Sequence, residues 1–181
     1  MRSIAYSPLA IALHWLTAAL IVGAAGLGLY MVDLDFSPAK LKSYSWHKWV
    51  GVTIFLLTAL RLAWRLVRPA PSPVPGLARS QQRVAAGMHA ALYVLLFAIP
   101  LSGWMMSSAI GVPVVYLGLV PLPDLVPKSE ALGEQFKLLH WTLNCLLLAS
   151  TAVHALAALK HHFVDRDAVL ARMLPFLSQR S

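Results

Sequence analysis

The chain has 181 residues, of which 59% are hydrophobic and 12% charged, with a formal net charge of +8. An ordinary soluble domain carries about twice that charged fraction. The apolar residues also fall in long blocks, which excludes a soluble core and indicates one polytopic membrane domain over residues 1–181.

The N-terminus has one early basic residue, Arg2, followed by an apolar run of 24 residues, 9–32. That run is long enough to span a bilayer and too long for a signal-peptide core, so it is expected to be a mature first helix. A second helix is expected over 47–68, starting wet at Ser45, Trp46, His47 and Lys48 and ending at Arg65 and Arg68. Pro69, Pro71, Pro73 and Pro75 then forbid helix and make a stiff linker. No Lys, Arg, Asp or Glu occurs in 84–123, too long a stretch for one span. Its first part, 84–107, reads as the third helix. Pro113, Pro121, Pro123, Gly111 and Gly118 break the rest, so 109–127 is expected to be an apolar loop or short interfacial helix. The fourth helix is expected over 138–160, and the basic tail, 161–181, as a short amphipathic helix.

The loops divide by charge. One side holds Arg2, the 61–83 stretch and the C-terminus, with ten basic residues against Asp165 and Asp167. The other holds five lysines against five acids, so the whole +8 lies on the first side. The positive-inside rule puts both termini in the cytoplasm. Trp46, Trp49, Trp104 and Trp141 then fall near the outer interface, and Trp15 and Trp64 near the inner one. The high isoelectric point reports topology and anionic-lipid contact, and nucleic-acid binding is not expected.

The fourth helix carries His140 and His154, fourteen residues apart. That spacing rises about 21 Å and returns both side chains to one face. Ionisable residues inside a membrane are costly and mark candidate functional sites. By depth, His47 pairs with His140 near the outer edge, and His14 with His154 near the inner edge. Four histidines paired in depth across a helix bundle fit two haem irons, each held by two axial imidazoles. Cys145 is the only cysteine and there is no Cys-x-x-Cys-His motif, so both haems would be non-covalent. The His47 face continues through Gly51, Ile54, Thr58 and Arg61, and Arg61 at inner depth suits a haem propionate. The His14 face runs through Ala18, Ile21, Ala25 and Gly28, leaving room for a flat macrocycle. Simple helix packing explains such small residues equally well, and Arg61 can equally snorkel to the interface. His89 starts the third helix at inner depth and competes as an inner ligand; otherwise it is a donor to a propionate or a quinone. His161 and His162 fall at headgroup level. Zinc is not expected, because no cysteine or carboxylate cluster and no His-Glu-x-x-His spacing is present.

At these residues the chain resembles the bacterial cytochrome b561 family. The carrying motifs are Ser-Pro-Leu-Ala-Ile-Ala-Leu-His14-Trp15-Leu, Trp46-His47-Lys48-Trp49-Val50-Gly51 and Arg61-Leu-Ala-Trp-Arg65-Leu. They continue with Leu138-Leu139-His140, the run from His154 to Lys160-His161-His162, the Pro-rich linker and Met173-Leu-Pro175. The resemblance implies an all-α, integral four-helix bundle of the bacterial inner membrane enclosing two b haems. It implies the same ligand pairs as the depth argument, His14 with His154 and His47 with His140.

Histidine on both sides of each iron leaves no open position, which favours electron transfer over oxygen activation and gives no catalytic residue beyond the haems. The resembled family includes superoxide oxidases, which pass electrons from superoxide to membrane ubiquinone. Lys40, Lys42, Lys48, Lys128 and Lys137 are candidates to attract that anion, although five acids share their side. Arg65, His89 and His161 are candidates near an inner quinone site. Two other readings stand. One is a cytochrome b subunit of a hydrogenase or formate dehydrogenase, which needs a redox-partner protein at one surface. The other is a non-redox channel or transporter, which would purify without haem.

Overall fold

A computed structural model describes residues 6–180; Arg2 lies outside the described residues. Four long helices carry the chain: α1 (Pro8–Val32), α2 (Pro38–Val67), α3 (Arg79–Ala109) and α4 (Glu130–Lys160). All four are long and apolar enough to cross a membrane. The chain is therefore an all-α bundle, as expected.

Three helices start at serine caps. Ser7, Ser37 and Ser129 accept from the amides of Ala10, Lys40 and Leu132, and Pro8 and Pro38 fill the first helical position of α1 and α2. A capping side chain satisfies one of the orphan amides of the first turn, and proline there loses no hydrogen bond. These caps lie outside the hydrophobic runs. Accordingly α2 begins at Pro38 rather than 47, α3 at Arg79 rather than 84, and α4 at Glu130 rather than 138. The second helix closes at Val67 because Arg68 precedes Pro69 and leaves the helical region.

Of the two forms expected for the 109–127 segment, it takes the loop and not the interfacial helix. It forms a two-stranded antiparallel hairpin, β1 (Val115–Tyr116) with β2 (Val120–Pro121). Leu117 and Gly118 both have positive φ, as the tight turn between two right-twisted strands requires. The hairpin is tied to the helix ends that the charge pattern predicts to be outer. Trp49 Nε1 donates to Val115 O at 2.7 Å, Thr53 Oγ1 lies 3.0 Å from the Tyr116 hydroxyl, and Trp104 Nε1 donates to Pro123 O at 3.0 Å.

The tail is not an amphipathic α-helix either. A π turn (His161–Asp165) prolongs α4, and a 3-10 turn (Pro175–Arg180) follows. Trp15 Nε1 donates to Met173 O at 2.8 Å, and Arg172 Nη1 donates to Ser72 O at 2.6 Å. Trp64 Nε1 donates to Ser7 Oγ at 2.9 Å. These bonds gather the start of α1, the Pro-rich linker and the tail at one end of the bundle.

Packing is uneven in a way that shapes the interior. The first helix packs on α2, α2 on α3 and α3 on α4, while α4 has no extended backbone contact with α1 or α2. The compact core is a small apolar cluster of Ile54, Leu96, Ile99 and Leu147. Ile54 and Leu147 each stand seven residues beyond an outer histidine, so this cluster lies midway between the two histidine levels. Most other large apolar side chains, such as Val22, Leu66, Val94 and Leu156, face outward as a lipid-contacting surface demands.

Candidate haem sites

At the outer level, α2 and α4 bring His47 and His140 together, with ring centroids 6.2 Å apart and ring planes at 83°. His47 Nδ1 lies 3.1 Å from Ala24 O on α1. His140 Nδ1 lies 3.1 Å from Ile99 O and 3.0 Å from Ser102 Oγ on α3. A carbonyl oxygen can only accept, so both Nδ1 atoms carry the hydrogen and both Nε2 atoms keep a free lone pair. Ser102 Oγ donates its own hydrogen to Ile99 O at 2.8 Å, which turns its lone pairs toward His140.

Two glycines make this approach possible. A Cβ on Gly103 would stand 3.0 Å from His140 Cε1, and one on Gly28 would stand 3.2 Å from His47 Cε1. Gly28, expected to clear space for a macrocycle, thus makes room for an imidazole. A Cβ on Gly51 would meet nothing within 4 Å, so the face beside His47 is open there.

At the inner level, His14 on α1 and His154 on α4 have ring centroids 6.3 Å apart. His89 is closer to His154, at 5.4 Å. Arg61 Nη2 donates to His14 Nδ1 at 3.1 Å, and its guanidinium lies 5.7 Å from the Tyr93 ring centre. Among the described residues, no hydrogen bond reaches the rings of His154 or His89. A cavity of about 330 Å³ at His89 is also lined by Leu62, Arg65, Ala86, Ala90 and Tyr93.

These donor sets fit a six-coordinate iron. Metal–imidazole bonds of about 2 Å on either side of one metal put ring centres roughly 6 Å apart. The His47–His140 and His14–His154 separations, 6.2 and 6.3 Å, match this spacing, while 5.4 Å for His89–His154 is short. The helices bearing each pair are also those whose backbones do not come close over any length, which leaves width between them. The outer pair fits with the hydrogen already on Nδ1. At the inner pair the guanidinium has no acceptor for that hydrogen, so Arg61 has to turn from Nδ1 when His14 ligates through Nε2.

The remaining candidates fall elsewhere. Lys48 Nζ donates to the Val112 and Pro113 carbonyls at 3.4 Å each, at the edge of the hairpin. Lys40 Nζ donates to Leu34 O, and Lys42 lies over the Trp46 ring. Lys137 is paired with Glu134 at 3.3 Å, and Lys128 shares a cleft with Glu130 and Glu134. His161 is bonded to Asp167 at 2.6 Å and stands in the π turn, away from both ring pairs. The fold does gather His161, Asp165 and Asp167 into a cluster within 4.8 Å, which the sequence did not suggest. Asp165 is held there by Lys160 at 2.7 Å, so the group reads as an ion network closing α4. Ser102, Gly103 and the Ala24 and Ile99 carbonyls were not anticipated as histidine partners. A serine and a glycine two and three residues after Pro100, in the apolar stretch of α3, were the available signal.

Comparison with known proteins completes the picture. The sequence pattern of prokaryotic cytochrome b561 matches residues 5–176. The chain is 35% identical over 170 residues to "Cytochrome b561 homolog 2" of Escherichia coli (strain K12), covering 93% of this chain and 90% of that one. It is 30% identical over 176 residues to "Probable superoxide oxidase CybB" of Yersinia pestis, covering 94% and 96%. It is also 30% identical over 171 residues to "Cytochrome b561 homolog 1" of Escherichia coli (strain K12), covering 94% and 97%. With four spanning helices and facing histidines, the chain belongs to the prokaryotic cytochrome b561 family: haem b-binding, multi-pass electron-transfer proteins of bacterial membranes.

Proposed function

We propose that this protein is a di-haem cytochrome that oxidises superoxide at the outer face and reduces ubiquinone within the inner membrane. His47 and His140 hold the outer haem, and His14 and His154 the inner one. The observation that carries this reading is the pair of ring separations, 6.2 and 6.3 Å, at two levels of one bundle. Bound there, each haem supplies one-electron redox chemistry. The chain's part is to fix the rings, exclude water and set the electrical surroundings.

At the outer face Lys48 is held by neutral carbonyls only, so its charge is available to a small anion, whereas Lys137 is compensated by Glu134. At the inner level, the cavity between α2 and α3 offers donors from Arg65, His89 and Tyr93 to a quinone carbonyl. Two superoxide ions each lose one electron and become dioxygen; the two electrons and two protons convert the quinone to quinol. The relative named as a probable superoxide oxidase supports this substrate. Both termini face the cytoplasm, in keeping with the arginines of the 61–83 stretch at the end where linker and tail meet.

The test is to purify the protein, count haem b per chain, and add superoxide with and without a soluble ubiquinone. Two haems that are reduced by superoxide and reoxidised by quinone are expected. Protein without haem would end the cytochrome reading. Haem that superoxide leaves oxidised would end the superoxide reading and point to a protein donor, as for a hydrogenase or dehydrogenase subunit.

A further inference from the structure

The two histidine pairs differ in what stands behind them. We propose that this difference sets the direction of electron flow, with Ser102 and two backbone carbonyls holding the outer haem at a lower reduction potential than the inner one, which Arg61 raises. The inference rests on the two-haem reading above.

An imidazole whose Nδ1–H is given to an acceptor is a more basic ligand. It stabilises ferric over ferrous iron. Both outer histidines are of this kind: His47 is backed by Ala24 O, and His140 by Ile99 O and Ser102 Oγ together. Ser102 is 1% exposed, so its hydroxyl acts where water does not compete. The orientation of its lone pairs is fixed by its bond to Ile99 O.

The inner pair is backed differently. Arg61 places a guanidinium 3.1 Å from His14 Nδ1. That group has five donors, no acceptor, and a charge it does not lose. The guanidinium also lies 5.7 Å from the Tyr93 ring centre, so on turning from Nδ1 its charge would stay near the inner pair. A fixed cation beside a ligand disfavours the extra positive charge of ferric iron and so raises the potential. Among the described residues, no carbonyl accepts a hydrogen bond from a ring nitrogen of His14 or His154. Arg65, beside His89 in the same region, adds a second cation. No lysine is bonded to the outer rings; the ammonium of Lys48 is on the Val112 and Pro113 carbonyls. With both haems bound, the groups behind the rings would make outer-to-inner transfer of one electron the downhill direction, the outer haem being oxidised as the inner one is reduced.

The experiment is a redox titration of the haem-loaded protein that resolves two midpoints, with Ser102→Ala, Ser102→Thr, Arg61→Gln and Arg61→Lys. Ser102→Ala should raise the lower midpoint alone, lowering the ferric-to-ferrous ratio of that haem about tenfold at fixed ambient potential. Ser102→Thr, which keeps the hydroxyl, should restore it. Arg61→Gln should lower the upper midpoint alone, and Arg61→Lys should return it toward wild type. The proposal is overturned if Ser102→Ala moves the upper midpoint, lowers the midpoint it moves, or shifts the same haem as Arg61→Gln. If Arg61→Gln loses its inner haem, the Ser102 pair decides alone, by which midpoint moves. Fewer than two haems in wild-type protein would instead mark failure of the two-haem reading.

Discussion

Gly28 and Gly103 do for the outer histidines what a side chain would prevent. With its Cβ 3.0 Å from His140 Cε1, Gly103→Ala should push that ring off its carbonyl and lower haem content from about two per chain toward one. Haem counting on folded protein checks this, and full occupancy in the variant would refute it. Gly23→Ala, where a Cβ meets nothing within 4 Å, is the control. The lysines give a second contrast. Lys48→Gln should slow haem reduction by superoxide several-fold, and the effect should shrink with added salt. Lys137→Gln should leave the rate nearly unchanged, because Glu134 already compensates that charge; stopped-flow reduction rates separate the two.

The histidines were legible at this scale because an ionisable group in a membrane needs a reason. Ser102 was not. A hydroxyl in a helix ordinarily bonds the carbonyl four residues back, as Thr17, Thr58 and Ser43 do here. Only the packing of α3 on α4 reveals that Ser102 also serves His140.

At the scale of elements, hydropathy located the bilayer-spanning part of each helix but not its ends. The second and fourth helices start about two turns early because Ser37 and Ser129 cap them outside the apolar run. The hairpin left even less trace. Its strands are two residues each, too short for any alternating pattern, and its turn uses Leu117 rather than the usual asparagine or aspartate. Its position depends on side-chain anchors on α2. Trp49→Phe removes the bond to Val115 O and should loosen the hairpin by about 1 kcal/mol. Faster amide exchange over residues 112–122, with α1 unchanged, is the expected result; equal protection would show that Thr53 and Trp104 suffice.

For the whole molecule, the antiparallel four-helix order and the charge asymmetry were readable, because span count and arginine placement are coarse properties. The unequal packing was not, since apolar faces do not state their partners. Because the backbone of α4 comes close to α3 but not to α1 or α2, and haems held by the ring pairs would bridge those gaps, stability should depend on haem. Haem-depleted protein should melt at least several degrees lower in detergent, since a ligand at a thousandfold its dissociation constant contributes about 4 kcal/mol. An unchanged melting temperature would show that the bundle holds itself. A reporter fused to the C-terminus should be active only if it is one that works in the cytoplasm.

The apolar cluster between the two levels has an electrical consequence. Ile54, Leu96, Ile99 and Leu147 offer no relay for protons, so an electron passing between two haems at these levels would cross that layer without a compensating ion. Transfer between histidines fourteen residues apart traverses about 21 Å of a core about 30 Å thick. In the proposed direction, inward electron movement would work against a membrane potential that is negative inside, at about 2.3 kcal/mol per charge for each 100 mV across the full core. Turnover in energised vesicles should therefore be slower than in uncoupled ones. Addition of an ionophore would expose the protein as a small current generator whose output falls as the membrane charges.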